Sequence, residues 1–165
     1  MIELARFERQ SVWEEWGSMG RRDSQSKACN GGCTWVELDP FQAEMKCLAE
    51  AEPVAAAFYR GLMKLAEGNG LGEEDYDAPM GFRLKRKNKP WIAEFKTVDK
   101  AGKQDIRLYW GEAPDDRASL AACLIGYKRR GFASDLVGQD RHISSAMGVL
   151  QRWCNKHRHE CRKQR

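Results

Sequence analysis

Ala118-Ser119-Leu120-Ala121-Ala122-Cys123-Leu124-Ile125 runs for eight residues without an acid or a base. A strand wetted on one face alternates apolar with polar, whereas one covered on both faces does not. This run therefore predicts a central strand with material packed above and below it. Upstream, residues 104–110 read as a second strand, joined to the first through the turn Glu112-Ala113-Pro114-Asp115-Asp116. A third run, residues 82–97, is broken by Pro90 and ends at the turn Val98-Asp99-Lys100-Ala101-Gly102-Lys103. Three strands linked by short polar turns make an antiparallel meander.

Farther out the period changes to that of a helix. Asp39 before Pro40 is a good helix opening, and Phe41, Glu44, Met45 and Leu48 follow at helical spacing. Pro53 opens a second helix, in which Val54, Ala57, Phe58, Leu62 and Leu65 form one apolar stripe expected to be core. Gly68-Asn69-Gly70 ends it. Thr34-Trp35-Val36-Glu37-Leu38 is a short strand candidate before this pair, and a last helix is expected over residues 140–157 with Ile143, Met147, Leu150 and Trp153 on one face.

Helices and strands kept in separate runs indicate an α+β domain. The expected form is two helices packed on a three- to four-stranded, mainly antiparallel twisted sheet, with a C-terminal helix. Ile2, Leu4, Phe7, Val12, Trp13 and Trp16 add a further N-terminal helix, and residues 17–33 read as a loop. The chain thus divides into an extension (1–33), a domain (34–155) and a basic tail (156–165).

Charge is unevenly spread. Residues 1–80 hold 8 Lys/Arg against 15 Asp/Glu, a balance of −7, while residues 81–165 hold 20 against 9, a balance of +11. A polyanion is drawn to the second half, although a basic face that merely stays solvated would have the same composition. No stretch approaches the roughly 20 apolar residues of a membrane helix. The start, Met1-Ile2-Glu3-Leu4-Ala5-Arg6, lacks the apolar core of a secretory signal, so a cytoplasmic setting is expected. The six cysteines are then expected to be mostly reduced, with Cys47 and Cys123 as small core residues.

Three stretches resemble the RelE/HigB/ParE toxin superfamily, especially its HigB-like and phage-derived members. Trp91-Ile92-Ala93-Glu94-Phe95-Lys96 resembles a strand ending in aromatic–Glu–Leu–Arg. Arg107-Leu108-Tyr109-Trp110 resembles the next strand, and Leu124-Ile125-Gly126-Tyr127-Lys128-Arg129-Arg130 a third that closes on a basic pair. The likeness covers residues 34–155. It implies a RelE-like fold and the toxin of a type II toxin–antitoxin pair, an endoribonuclease (mRNA interferase) acting on mRNA in the ribosome. It also implies neutralisation by a cognate antitoxin protein. A ParE-like toxin that poisons gyrase is the alternative within the fold, and a non-catalytic module gripping RNA or protein the alternative outside it.

Cleavage of RNA by its own 2′-hydroxyl requires removal of that proton, neutralisation of the phosphate oxygens and protonation of the departing 5′-oxygen. Cationic side chains can do the second job without a metal or cofactor, so none is expected. Arg107 matches the family's phosphate clamp, and Lys128 with Arg129 the charge and proton donor for the leaving group. Lys85, Lys87, Lys89, Lys96 and Arg130 are expected along the RNA backbone. The family's late substrate-stacking Tyr falls near Asp135 and is missing here, so Tyr109, Tyr127 or His142 is expected to replace it. His142, expected to open the last helix, is also a candidate acid or base, against the plainer reading of a surface cap. Cys29, Cys33, Cys154 and Cys161 form an alternative structural zinc set, at unusual spacings.

Overall fold

The computed structural model describes residues 24–80, 88–113, 118–131, 135–157 and 160–164, with the side chains of 135 and 136 excepted. The expected N-terminal helix, Lys85 and Lys87 lie outside these residues. Strand β1 (Thr34–Glu37) is followed by helices α1 (Asp39–Ala51) and α2 (Pro53–Glu67). Then come strands β2 (Ile92–Val98), β3 (Gln104–Glu112) and β4 (Ser119–Arg129), and finally helix α3 (Asp135–Lys156). The sheet order is β1-β4-β3-β2: β2, β3 and β4 form the expected antiparallel meander, and β1 joins β4 in parallel. The fold is α+β, as the segregation of helices and strands predicts.

Both faces of the sheet are covered, which is why β4 is apolar throughout. On one face α1 and α2 bury Phe41, Met45, Leu48, Tyr59 and Leu62 against Phe95, Ile106, Leu108 and Trp110. Trp110 lies at the centre of this layer, edge-on to Trp35 at 5.5 Å and to Trp91 at 5.8 Å between ring centroids. On the other face α3 lays Ile143, Ala146, Met147 and Leu150 over Ile92, Tyr109, Ala121 and Cys123. Trp153 packs against this second cluster.

Of the stripe expected to be core in α2, Leu62 is buried and the other four side chains are not. Ala55, Ala56, Tyr59, Leu62, Met63 and Ala66 face the core, while Val54 is 82% exposed, and Phe58, Leu65 and Ala57 are exposed too. Two overlapping apolar arcs fit the same sequence. The one carrying Tyr59 lies inward because its hydroxyl reaches the carbonyl of Ile106. Cys47, expected in the core, is exposed on α1, whereas Cys123 is buried. Asp39 is the first residue of α1, with Leu38 as the cap, so its carboxylate sits in the first turn where the helix dipole favours it.

The described parts of the extension and tail belong to the domain. Ala28 and Cys33 are core residues, and a 3-10 turn (Lys27–Asn30) packs against the end of α2. There Gly32 N–H donates to the carbonyls of Glu67 and Gly68. A side chain on Gly70, whose φ is +100°, would come within 2.7 Å of the Cys29 carbonyl carbon, so this crossing needs glycine. At the other end, residues 162–164 run antiparallel beside 88–91, with Trp91 N–H donating to Arg162 O at 2.7 Å.

The buried carboxylate of Glu112 joins three parts of the chain. It accepts from the Ser26 hydroxyl, from Lys27 N–H at 3.0 Å, and from the Arg162 guanidinium at 3.0 Å. Arg162 also stacks on Trp91, 4.2 Å from the ring centroid. Replacing Glu112 with Ala strands these donors, and Glu112→Ala is expected to lower stability by about 3 kcal/mol. Chemical denaturation measures it, and a loss under about 1 kcal/mol would refute the role.

Candidate functional site

Polar side chains gather on the α3 face of the sheet toward the far ends of β2, β3 and β4. The register aligns Glu94 with Tyr109 and Leu124, then Lys96 with Arg107 and Gly126, then Val98 with Asp105 and Lys128. These residues share the α3 face because of one irregularity. Tyr109 pairs with Leu124 but Trp110 pairs with Ala122, leaving Cys123 as an extra residue. Beyond this bulge the facing of β4 reverses: Gly126 and Lys128 point to the α3 side, Tyr127 and Arg129 to the α1–α2 side.

The floor of the site is an ion cluster. Arg107, 7% exposed, donates to Glu94, 2% exposed, and at 3.3 Å to Asp105. Burial drives the carboxyl of Glu94 up, although Arg107 pulls it back. Burial also works against the charge on Arg107, but Glu94 and Asp105 outweigh it and hold the guanidinium charged. Tyr109 lies beside this pair, fully buried, with its hydroxyl pushed up by desolvation.

Over the floor stands His142. It lies on the third turn of α3 and does not open the helix, which begins at Asp135. Its ring rests on Gly126, where a Cβ would come within 2.5 Å of Nδ1, so only glycine leaves room for the imidazole. Desolvation lowers the pKa of His142 below the ordinary imidazole value, and the ring is neutral near pH 7.

Four buried polar atoms in this group have no hydrogen-bond partner among the described residues: Glu94 Oε2, Arg107 Nε, Tyr109 Oη and His142 Nδ1. Most buried polar atoms in folded proteins are satisfied, so such a concentration marks a site. The rim carries Lys96, exposed, Lys128, half-buried, and Arg130, whose guanidinium lies 3.5 Å from Asp105.

The expected site residues therefore separate. Lys96, Arg107, Tyr109, Lys128, Arg130 and His142 come together. Arg129 and Tyr127 fall on the opposite face, because neighbours in a strand cannot share one. Lys89 lies at the other end of the sheet, its carbonyl accepting from Gln164 N–H. Arg107 does not have the open position expected of a phosphate clamp, since its charge is already engaged by two carboxylates. Tyr109 cannot stack on a base, being buried under α3. Glu94 was not expected as a site residue; its one sequence signal is a carboxylate amid the otherwise apolar residues 91–95.

The zinc set does not form. Cys154 and Cys161 are joined by a disulfide, which also departs from the expected reduced state. Cys29 and Cys33 belong to the layer on the other side of the sheet. The described parts of the extension and the tail do meet, but through Arg162, which donates to the Gln25 carbonyl at 2.8 Å. Among the described residues no cluster of His, Cys, Asp and Glu has a metal-binding arrangement, and no helix is long and apolar enough to cross a membrane.

Compared with protein-family models, curated proteins and solved structures, the chain matches none.

Two measurements test this arrangement. Removing one member of a buried ion pair strands the other, so Glu94→Ala is expected to cost about 3–5 kcal/mol. Lys96→Ala on the rim should stay within about 0.5 kcal/mol. Equal effects would contradict the division into floor and rim. The lowered pKa of His142 means that the unfolded chain binds its proton first as pH falls. Stability carried by the neutral ring is thus full above about pH 6.5 and lost below it. His142→Gln should flatten that part of the stability–pH curve, and an unchanged slope would show that His142 is not held neutral.

Proposed function

We propose that the chain is the toxin of a type II toxin–antitoxin pair: a RelE-like endoribonuclease that cleaves mRNA on the ribosome and is neutralised by a cognate antitoxin. The observation that carries this reading is the convergence of four partnerless buried polar atoms beneath the cations Lys96, Lys128 and Arg130. A site that binds a polyanion needs exposed cations at its mouth, and a site that moves protons needs polar groups held away from water.

The roles follow from position. Lys96, Lys128 and Arg130 bind phosphate oxygens, Arg130 through its planar fork. His142, neutral at working pH, takes the 2′-hydroxyl proton as the 2′-oxygen attacks phosphorus. The bond to the 5′-oxygen breaks, Lys128 returns a proton to it, and the products are a 2′,3′-cyclic phosphate and a 5′-hydroxyl. Glu94, Arg107 and Tyr109 form the preorganised floor.

One observation favours a second reading, a module that grips RNA without cutting it. Arg107 spends its charge on Glu94 and Asp105, which leaves no buried guanidinium open to a phosphate among the described residues of this site.

Induced expression in a bacterial host separates these readings. Wild type is expected to arrest growth and to create new mRNA 5′ ends. His142→Gln should slow cleavage by about 100-fold or more, and the Lys96→Ala, Lys128→Ala double variant should abolish it. Arrest without new ends would point to gyrase or another target. No arrest would leave the binding module.

A further inference from the structure

The bulge that gathers the site also sends Tyr127 and Arg129 to the other face of the sheet, past the edge of the helix pair. Tyr127 is 44% exposed there, an aromatic ring that the core does not use. Two residues on, Arg129 lines an open cleft of about 470 Å³ with Lys103, Arg130, Gly102, Gln104 and Asp99. Arg129 and Lys103 are exposed, and the guanidinium of Arg130 is 55% exposed.

Three of the acids nearby accept from backbone donors, while Asp105 faces Arg107 and Arg130. Asp99 Oδ1 accepts from Lys103 N–H at 2.8 Å and Gln104 N–H at 3.1 Å. Glu52 Oε2 accepts from Lys100 N–H at 3.0 Å, and Glu44 from Ile125 N–H. The cleft is thus lined by Lys103, Arg129 and Arg130 together with Asp99, and Arg130 also lies 3.5 Å from Asp105.

We infer that Tyr127, with the cleft of Lys103, Arg129 and Arg130, is a second subsite that holds single-stranded RNA outside the reacting site. A base stacks on the Tyr127 ring and the next phosphate enters the cleft. An aromatic face beside a row of cations is the general solution for gripping an unpaired strand without reading its sequence. Tyr127 and Arg129 lie about 6.6 Å apart along the strand, roughly one extended nucleotide. Arg130, which reaches both Asp105 and the cleft, joins the two sites around the sheet end. This inference rests on the RNA reading of the α3-side site and extends it to the flanking strand.

The test is fluorescence anisotropy with labelled single-stranded RNA of about 3 and about 12 nucleotides and a 12-base-pair duplex. Wild type is compared with Tyr127→Ala, with Lys103→Glu plus Arg129→Glu, and with Lys96→Glu plus Lys128→Glu. These substitutions are at exposed or half-buried positions, and unchanged melting temperatures establish that each variant is folded. Both subsite variants are expected to weaken the 12-mer about 10-fold and leave the 3-mer unchanged, and the duplex should bind worse than the single strand. If wild type binds RNA and only the Lys96/Lys128 variant weakens it, the subsite is overturned and the main site stands. Equal binding of duplex and single strand overturns the stacking role. If no RNA binds wild type, both readings fall.

Discussion

The single residue that Cys123 inserts into β4 controls the organisation of everything beyond it. Before the bulge, Leu120 and Ala122 face the helix pair and Ala121 and Cys123 face α3. After it, the even-numbered residues face α3. Strict alternation would have put Tyr127 and Arg129 over Arg107, and would have turned Gly126 and Lys128 toward α1. The bulge instead brings Gly126 under His142, which no residue with a side chain would allow, and brings Lys128 opposite Asp105. A one-residue shift thus exchanges one set of functional groups for another at no cost to the core, because Cys123 and Leu124 are both apolar and both covered by α3.

The ion cluster follows from the same register. Glu94 and Arg107 are on neighbouring strands and on one face, and each is almost fully buried there. A buried carboxylate beside a buried guanidinium is poor evidence for net stability, since desolvating both offsets most of their attraction. An apolar pair would fill the space as well. What the charged pair provides is a fixed, polar floor at the place where the rim is cationic. In the function proposed above, an incoming phosphate meets the exposed Lys96 and the half-buried Lys128 directly and Arg107 only through the cluster. A floor that was cationic and unpaired would repel its own rim.

The fold was legible because its signals were long and redundant. An uninterrupted apolar run for β4, polar turns at 98–103 and 112–116, and prolines at the starts of α1 and α2 each imposed one element. The facing of individual side chains was less legible. On α2 the arcs through Val54 and through Tyr59 are both apolar, and contacts with the sheet select between them, among them the bond from Tyr59 to Ile106 on β3. In β4, Cys123 and Leu124 look alike in sequence, so nothing local marks the bulge. The candidates Lys128 and Arg129 were found for this reason as a pair, and the three-dimensional structure divides them. Glu94 was hidden by its neighbours, since one carboxylate in an apolar strand reads as strand until its partner across the sheet is known. The contacts of Ser26 and Arg162 with Glu112 span 86 and 50 residues, beyond any periodicity.

His142 shows how the two halves of the site depend on each other. Burial against Gly126 lowers the pKa of its ring, and the ring is held there by α3, whose seat on the sheet is apolar from Ile143 to Leu150. A histidine at the rim would titrate near its ordinary value and be mostly neutral near pH 7 in any case; the burial instead fixes its position. That distinction is physical. Proton transfer from a 2′-hydroxyl demands an imidazole that is at once basic and immobile, and mobility falls as neighbours close in. The same closing-in lowers basicity by desolvation. The observed placement, half-buried with one nitrogen enclosed, lies between these demands, and it is reached because a glycine in β4 lets the ring approach the sheet without being sealed beneath it.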